Sequence, residues 1–473
     1  MSDQSIAFQP ISALSRLLET GALSAVELTD LYLKRIQQLD GRACSFITVT
    51  ENLARQSALA ADQCRMQGIS RTALSGIPYA VKDLIDVQGV LTTAGSRVFH
   101  DNIAAENAFL VDRMAQTGAV MLGKLNLHEF AYGTTGENEV YGTAVNAYDE
   151  NRLACGSSSG SAAAVAFGLC PASFGTDTGG SVRVPAAMSG LVGLKPTLGR
   201  ISTRGVTPCC WSLDHVGTVT RTVSDAALLL SSSACYDSLD PGSANLPCEQ
   251  YNIALTGTRP LSGLRIGIAE RFFFERADSE ILAATESVMR SLARAGADII
   301  KVEMPSMEHC RTVSLTVQMP EALSFHSRYL TERGDLYGKD FRAGLALGQC
   351  LLAEHYVRAK RFMMLYRQQT NAVFQDVDLL LTPSSPVIAP ERGTASVTLD
   401  GVTEAIGNAM TRYTTFFNMT GHPAITVPSG MHSEGLPMGV QLVGRYFDEA
   451  TLFKVATAIE RDDAFRIPLP QPG

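Results

Sequence analysis

Short apolar segments recur along the chain at Ile77-Pro-Tyr-Ala-Val81, Ala119-Val-Met-Leu122, Arg265-Ile-Gly-Ile268, Leu379-Leu-Leu381 and Ala424-Ile-Thr-Val427. They are too brief for helices and read as strands covered on both faces. Between them, Ala162 to Phe167, Glu280 to Ala295 and Ala353 to Phe374 read as helices. This alternation predicts an α/β fold with a largely buried sheet. Near the start, Ile11 to Leu39 carries apolar residues at helical spacing, with Ser24 as the N-cap before Ala25-Val26-Glu27-Leu28. No proline-, glycine- or charge-rich linker divides the 473 residues, so one domain over 1–473 with a single large core is expected. The Ser-, Asp-, Pro- and Gly-rich stretch Ser238 to Cys248 reads as a surface loop.

A chain that is 45% hydrophobic and 18% charged has ample material for a core. A net charge of -8 argues against a nucleic-acid partner. No apolar run approaches the ~20 residues that cross a bilayer, and Met1-Ser2-Asp3-Gln4-Ser5 lacks the basic and apolar regions of a secretory leader, so no membrane partner and a cytoplasmic location are expected. The ten cysteines form no Cys-x-x-Cys pair, which speaks against a disulfide framework, and no metal or cofactor site is expected. The vicinal pair Cys209-Cys210 is read as buried thiols.

The chemistry concentrates in Asp177-Thr178-Gly179-Gly180-Ser181-Val182-Arg183. A serine at the end of a two-glycine turn exposes its hydroxyl while neighbouring N–H groups converge, the requirement for stabilising an oxyanion beside a nucleophile. Upstream lie the cluster Gly156-Ser157-Ser158-Ser159-Gly160-Ser161 and Lys82, in the apolar frame Gly76-Ile-Pro-Tyr-Ala-Val-Lys82. A lysine holds its proton to about pH 10.4, so Lys82 serves as a base only if burial depresses its pKa strongly. Asp177 and Arg183 flank the serine and are expected to pair and hold the turn.

At these residues, and at Gly190-Leu-Val-Gly-Leu-Lys-Pro-Thr-Leu-Gly-Arg200, Ser212-Leu-Asp-His-Val-Gly217, Asp378-Leu-Leu-Leu-Thr-Pro383 and Gly435-Leu-Pro-Met-Gly-Val-Gln-Leu-Val-Gly444, the chain resembles the amidase signature family. The resemblance spans nearly the whole chain, with the signature core over about 76–225. It implies one mixed sheet of about eleven strands between helices. It also implies a catalytic set of Ser181 as nucleophile, Ser157 as bridging serine after a cis peptide bond, and Lys82 as base. Thr178, Gly179 and Gly180 would form the oxyanion hole, with Ser158 in support. Cys155 and Ser159 stand where glycines are common in the family, Leu84 where a polar residue is usual and Thr218 where proline is frequent; none removes a catalytic atom. Tyr132, Gly133, Thr134 and Trp211 are candidates to line the substrate pocket, with Met319 or Glu321 beside them.

A competing pattern is present. Gly156-Ser157-Ser158-Ser159-Gly160 satisfies Gly-x-Ser-x-Gly, which would make Ser158 the nucleophile with His422 or His215 as its base. That elbow must follow a strand, and Glu150-Asn-Arg-Leu-Ala-Cys155 is a poor one. The expected activity is therefore hydrolysis of the C–N bond of a small carboxamide, urea-like or anilide substrate through an acyl-enzyme on Ser181. The alternatives are the glutamine-hydrolysing component of a tRNA-dependent amidotransferase and a non-catalytic scaffold. Ser212 to Gly217 and Thr207-Pro-Cys-Cys-Trp211 are more similar to bacterial hydrolases of biuret and triazine breakdown than to the amidotransferase glutaminase. A small-molecule amide is the expected partner, and a homodimer is left open.

Overall fold

The computed structural model describes residues 3–69, 72–247, 249–251 and 261–470; Cys248, at the end of the expected surface loop, lies outside them. Its strands are β1 (Phe46–Val49), β2 (Pro78–Lys82), β3 (Val120–Leu125), β4 (Ala172–Asp177), β5 (Val192–Lys195), β6 (His215–Thr220), β7 (Arg265–Ile268), β8 (Asp298–Lys301), β9 (Leu379–Pro383), β10 (Ser396–Leu399), β11 (Val402–Ala405), β12 (Ala424–Met431) and β13 (Pro437–Gly444). Eleven of them form one sheet in the order β1-β3-β2-β4-β6-β5-β12-β13-β9-β7-β8, and β10 and β11 form a separate hairpin. The sheet is mixed: β2 runs parallel to both β3 and β4, while β4, β6, β5, β12, β13 and β9 follow one another antiparallel. This is the α/β sheet that the alternating segments predict, packed between helices.

All five expected strands are present, and four reach further than their apolar runs. The third strand runs on through Gly123, Lys124 and Leu125 because Lys124, fully buried, is neutralised by Asp83 at 2.9 Å. A charge in a sequence normally signals solvent, and only a partner from another loop makes it tolerable inside a sheet. The expected helical start divides into Ile11–Glu19 and Ala25–Ala43. Gly21, at φ +69°, ends the first of these in the left-handed region, where a glycine carries no Cβ penalty. Ser24 caps the second as expected: its Oγ accepts the Glu27 N–H at 3.0 Å, and Glu27 Oε2 accepts the Ser24 N–H at 2.8 Å.

Three features of this architecture position the site. Parallel β2 and β4 pair Val81 with Phe174, so their carboxyl ends emerge side by side, where open α/β sheets hold ligands. The helix Ser159–Ala166 is built almost wholly from small side chains and is buried along its entire length, which fixes the serine cluster at its start. Three helices, Cys310–Arg333, Lys339–Gln349 and Ala353–Asp376, pack together, and the first two supply one wall of the cleft described below. Among the described residues no helix is long and apolar enough to cross a membrane.

Candidate active site

Lys82 is the last residue of β2 and is wholly buried. Its Nζ lies 2.7 Å from Ser157 Oγ and 2.9 Å from Thr176 Oγ1 on β4. Burial lowers its pKa to about 7, against the opposing pull of Cys209, Asp214 and Asp177. The amine is therefore poised to exchange a proton near neutrality. The Gly156–Ser157 peptide bond is cis, and the Ser158 N–H donates to the Ser181 carbonyl at 3.3 Å, which seats the two serine loops against each other.

The turn after β4 is organised by Asp177. Its Oδ1 accepts the Gly180 N–H at 2.8 Å, and its Oδ2 accepts the N–H groups of Val182 at 3.1 Å and Arg183 at 3.4 Å. Arg183 grips the same carboxylate with two donors, Nε at 3.0 Å and Nη2 at 2.8 Å, and both side chains are fully buried. The remaining guanidinium protons go to the Thr414 carbonyl, Gln441 Oε1 and Asn418 Oδ1 at 3.1, 2.5 and 2.6 Å. Burial alone would raise the Asp177 carboxyl, but Arg183, Lys195 and Asn418 hold it below the usual carboxylate range. Gly180 sits at φ +133°, and a Cβ there would collide with Thr414, so the turn admits glycine alone.

A cleft of about 400 Å³ opens over this turn, a volume suited to a small molecule. Thr178, Gly179 and Ser181 line it from the turn, Tyr132, Gly133 and Thr134 from the segment after Glu129, and Arg311, Met319 and Asp340 from the helical wall. Three residues depart from the sequence expectation. Gly180, expected among the oxyanion donors, commits its N–H to Asp177 and is absent from the lining. Trp211 is 54% exposed, packs edge-on against Phe325, and faces a separate cavity with Arg204 and Asp214. Glu321 also lies off the cleft, because its carboxylate accepts from the Cys210 thiol, the Ser212 N–H and hydroxyl, and the Tyr356 hydroxyl.

The competing elbow finds no support. Ser158 follows no strand; its hydroxyl donates to the Thr176 carbonyl at 3.1 Å and accepts the Thr176 N–H at 3.3 Å, which ties it down. His215 Nδ1 contacts the Leu213 and Asp177 carbonyls, and burial pushes the ring well below its ordinary pKa. His422 is held between Thr420 and Asn371 and stacked on Phe374 and Tyr446. Cys209 and Cys210 are separate buried thiols, both pushed up in pKa by burial. Sequence reasoning does not single out Thr176, Asn418, Gln441, Arg311 or Asp340. Thr176 directly precedes the Asp177–Arg183 stretch and Gln441 sits inside Gly435–Gly444, but Asn418, Arg311 and Asp340 reach the site from distant segments with no local pattern.

The buried lysine, the serine loops and the cleft at the carboxyl ends of parallel strands together define a hydrolase of the α/β class. The amidase family model matches residues 27–453, and the chain belongs to the amidase signature family. It is 38% identical over 479 residues to the A subunit of glutamyl-tRNA(Gln) amidotransferase from Chloroflexus aggregans, covering 95% of this chain and 96% of the relative. A solved structure from a vestigial protein complex that bears on the evolutionary origins of an s-triazine catabolic enzyme superimposes with a TM-score of 0.93 at 34% identity, covering 97% of this chain and 100% of its own. The A subunit of glutamyl-tRNA(Gln) amidotransferase from Thermotoga maritima, also a solved structure, gives a TM-score of 0.82 at 29% identity, over 98% of both chains. The protein is an amidohydrolase acting on carbon–nitrogen bonds.

Proposed function

We propose that the chain hydrolyses the amide bond of a small substrate through an acyl-enzyme on Ser181. The observation that carries this reading is the buried contact between Lys82 Nζ and Ser157 Oγ at 2.7 Å, beside the turn that presents Ser181 to the cleft. Ser181 Oγ attacks the amide carbonyl and gives its proton to Ser157, whose own proton passes to neutral Lys82. The oxyanion is held by backbone N–H groups of the Thr178–Ser181 turn other than that of Gly180. On collapse the protonated lysine returns the proton through Ser157 to the departing nitrogen. Water then cleaves the ester by the same route in reverse. Asp177 and Arg183 hold the turn, and Ser158 holds the serine cluster. Treatment with a fluorophosphonate followed by peptide mapping should place the adduct on Ser181, and Ser181→Ala should abolish both adduct and turnover. An adduct on Ser158, Cys209 or Cys210 contradicts the reading.

The curated relatives favour a second reading of the substrate. Identity of 38% across 95% of the chain to one component of a glutamyl-tRNA(Gln) amidotransferase supports glutamine as the amide and ammonia as the product passed to partner subunits. The neighbour at TM-score 0.93, from a vestigial protein complex tied to the origins of an s-triazine catabolic enzyme, supports a small molecule other than glutamine as the substrate. Ammonia release from glutamine by the purified chain, with and without the other amidotransferase components, separates them. Release only with those components establishes the glutaminase role.

A further inference from the structure

The cleft that holds Ser181 also holds a cation without a counter-charge. Arg311 lines it from the first turn of the helix Cys310–Arg333, where the positive end of the helix dipole disfavours a cationic side chain. Its Nε is buried and has no hydrogen-bond partner, and among the described residues no carboxylate forms an ion pair with it, Asp340 of the same cleft included. Tyr132, which lines the same cleft from the segment after Glu129, carries a buried hydroxyl that also lacks a partner. Burial pushes that phenol up to about 12, so it remains a donor across the physiological range. The ring is wedged against Phe341 at 5.2 Å between centroids, and a Cβ on Gly344 would meet its Cε1 at 2.8 Å, so the phenol has one seat. Buried donors left empty are costly, and two of them lining one cleft are satisfied together by an acceptor with two oxygens.

We infer that the cleft selects amides that carry a carboxylate, with Arg311 and the Tyr132 hydroxyl receiving the carboxylate while the amide carbonyl sits over Ser181. This deepens the hydrolytic reading and rests on it for the second half of the statement. The guanidinium fork matches a carboxylate with two N–H donors, and the phenol adds a third. A neutral amide of the same shape would bury Arg311 without an anion and would bind far less well.

Calorimetric titration of the Ser181→Ala protein, which binds without turnover, tests the subsite directly. Glutaramate, with one carboxylate and one amide, should bind at least ~30-fold more tightly than the neutral diamide glutaramide, the order expected for charge-assisted hydrogen bonds. Adding Arg311→Met should bring the two ligands within ~3-fold of each other, and adding Tyr132→Phe should remove a smaller part of the preference. Arg311→Lys, which keeps the charge without the fork, should retain part of it, and this variant decides the matter if Arg311→Met does not fold. Equal affinity for the two ligands, or a preference that survives loss of Arg311, overturns the inference. Fluorophosphonate labelling of wild-type Ser181 reads the other proposal separately. Selective binding without labelling sinks the hydrolytic reading alone, and labelling without selectivity sinks the carboxylate subsite alone.

Discussion

Asp177 and Arg183 show how much of this site is devoted to holding one turn still. The carboxylate accepts three backbone N–H groups and two guanidinium donors, and Asn418 Nδ2 donates to it at 2.8 Å. Removing one member of a buried ion pair leaves the other charged and unsatisfied, a loss of about 3–5 kcal/mol. Arg183→Met should therefore lower the urea midpoint markedly and inactivate by loosening the turn, both read on one preparation. Ser181→Ala, which deletes a hydroxyl facing the cleft and buries nothing new, should leave the midpoint within error while reducing turnover at least ~10³-fold. Lys82 pulls stability and function apart in the opposite sense. Its pKa, lowered from the ordinary lysine value to about 7, places a folding penalty on the protonated form that is complete below about pH 7 and fades as pH rises towards the unfolded value. Lys82→Met should thus raise the urea midpoint at pH 6, where that penalty is complete, while abolishing activity.

At the scale of elements, the N-terminal helix offers a test of local reading without touching the site. Ser24→Ala removes the Oγ that accepts the Glu27 N–H while leaving the Ser24 N–H bonded to Glu27 Oε2, and should cost about 1 kcal/mol in a urea titration, with kcat unchanged. This cap is legible in the sequence because its partners lie three residues apart. Glycine-rich turns and the alternation of short strands with helices are legible for the same reason, since each rule acts within a few residues. What stays hidden is non-local. The extension of β3 through Lys124 depends on Asp83 of another segment. The wall of Arg311 and Asp340 comes from helices that begin more than a hundred residues after Ser181. Trp211, a pocket candidate by sequence, is 54% exposed and lies outside the cleft, with its neighbours Cys210 and Ser212 tied by thiol and backbone N–H to Glu321 of a distant helix. The Gly180 N–H is turned to Asp177 Oδ1, which the motif does not foretell, because a motif gives residue types and not the direction of an N–H.

Across the whole molecule, the sheet order explains why residues 75 and 94 positions apart from Lys82 meet at one amine. Strands β2 and β4 are neighbours in parallel register, and the serine cluster is carried past their ends by the buried helix Ser159–Ala166. In the proposed mechanism burial makes Lys82 the base for Ser181, and the most direct measurement of that role is the pH dependence of Ser181 acylation in the wild type, Lys82→Ala, His215→Asn and His422→Asn proteins. Only the neutral amine accepts a proton, so wild-type acylation should rise through about pH 7 and level off above it. That limb should persist in both histidine variants and vanish with Lys82. A limb that survives Lys82→Ala and disappears with either histidine would contradict the serine–serine–lysine mechanism.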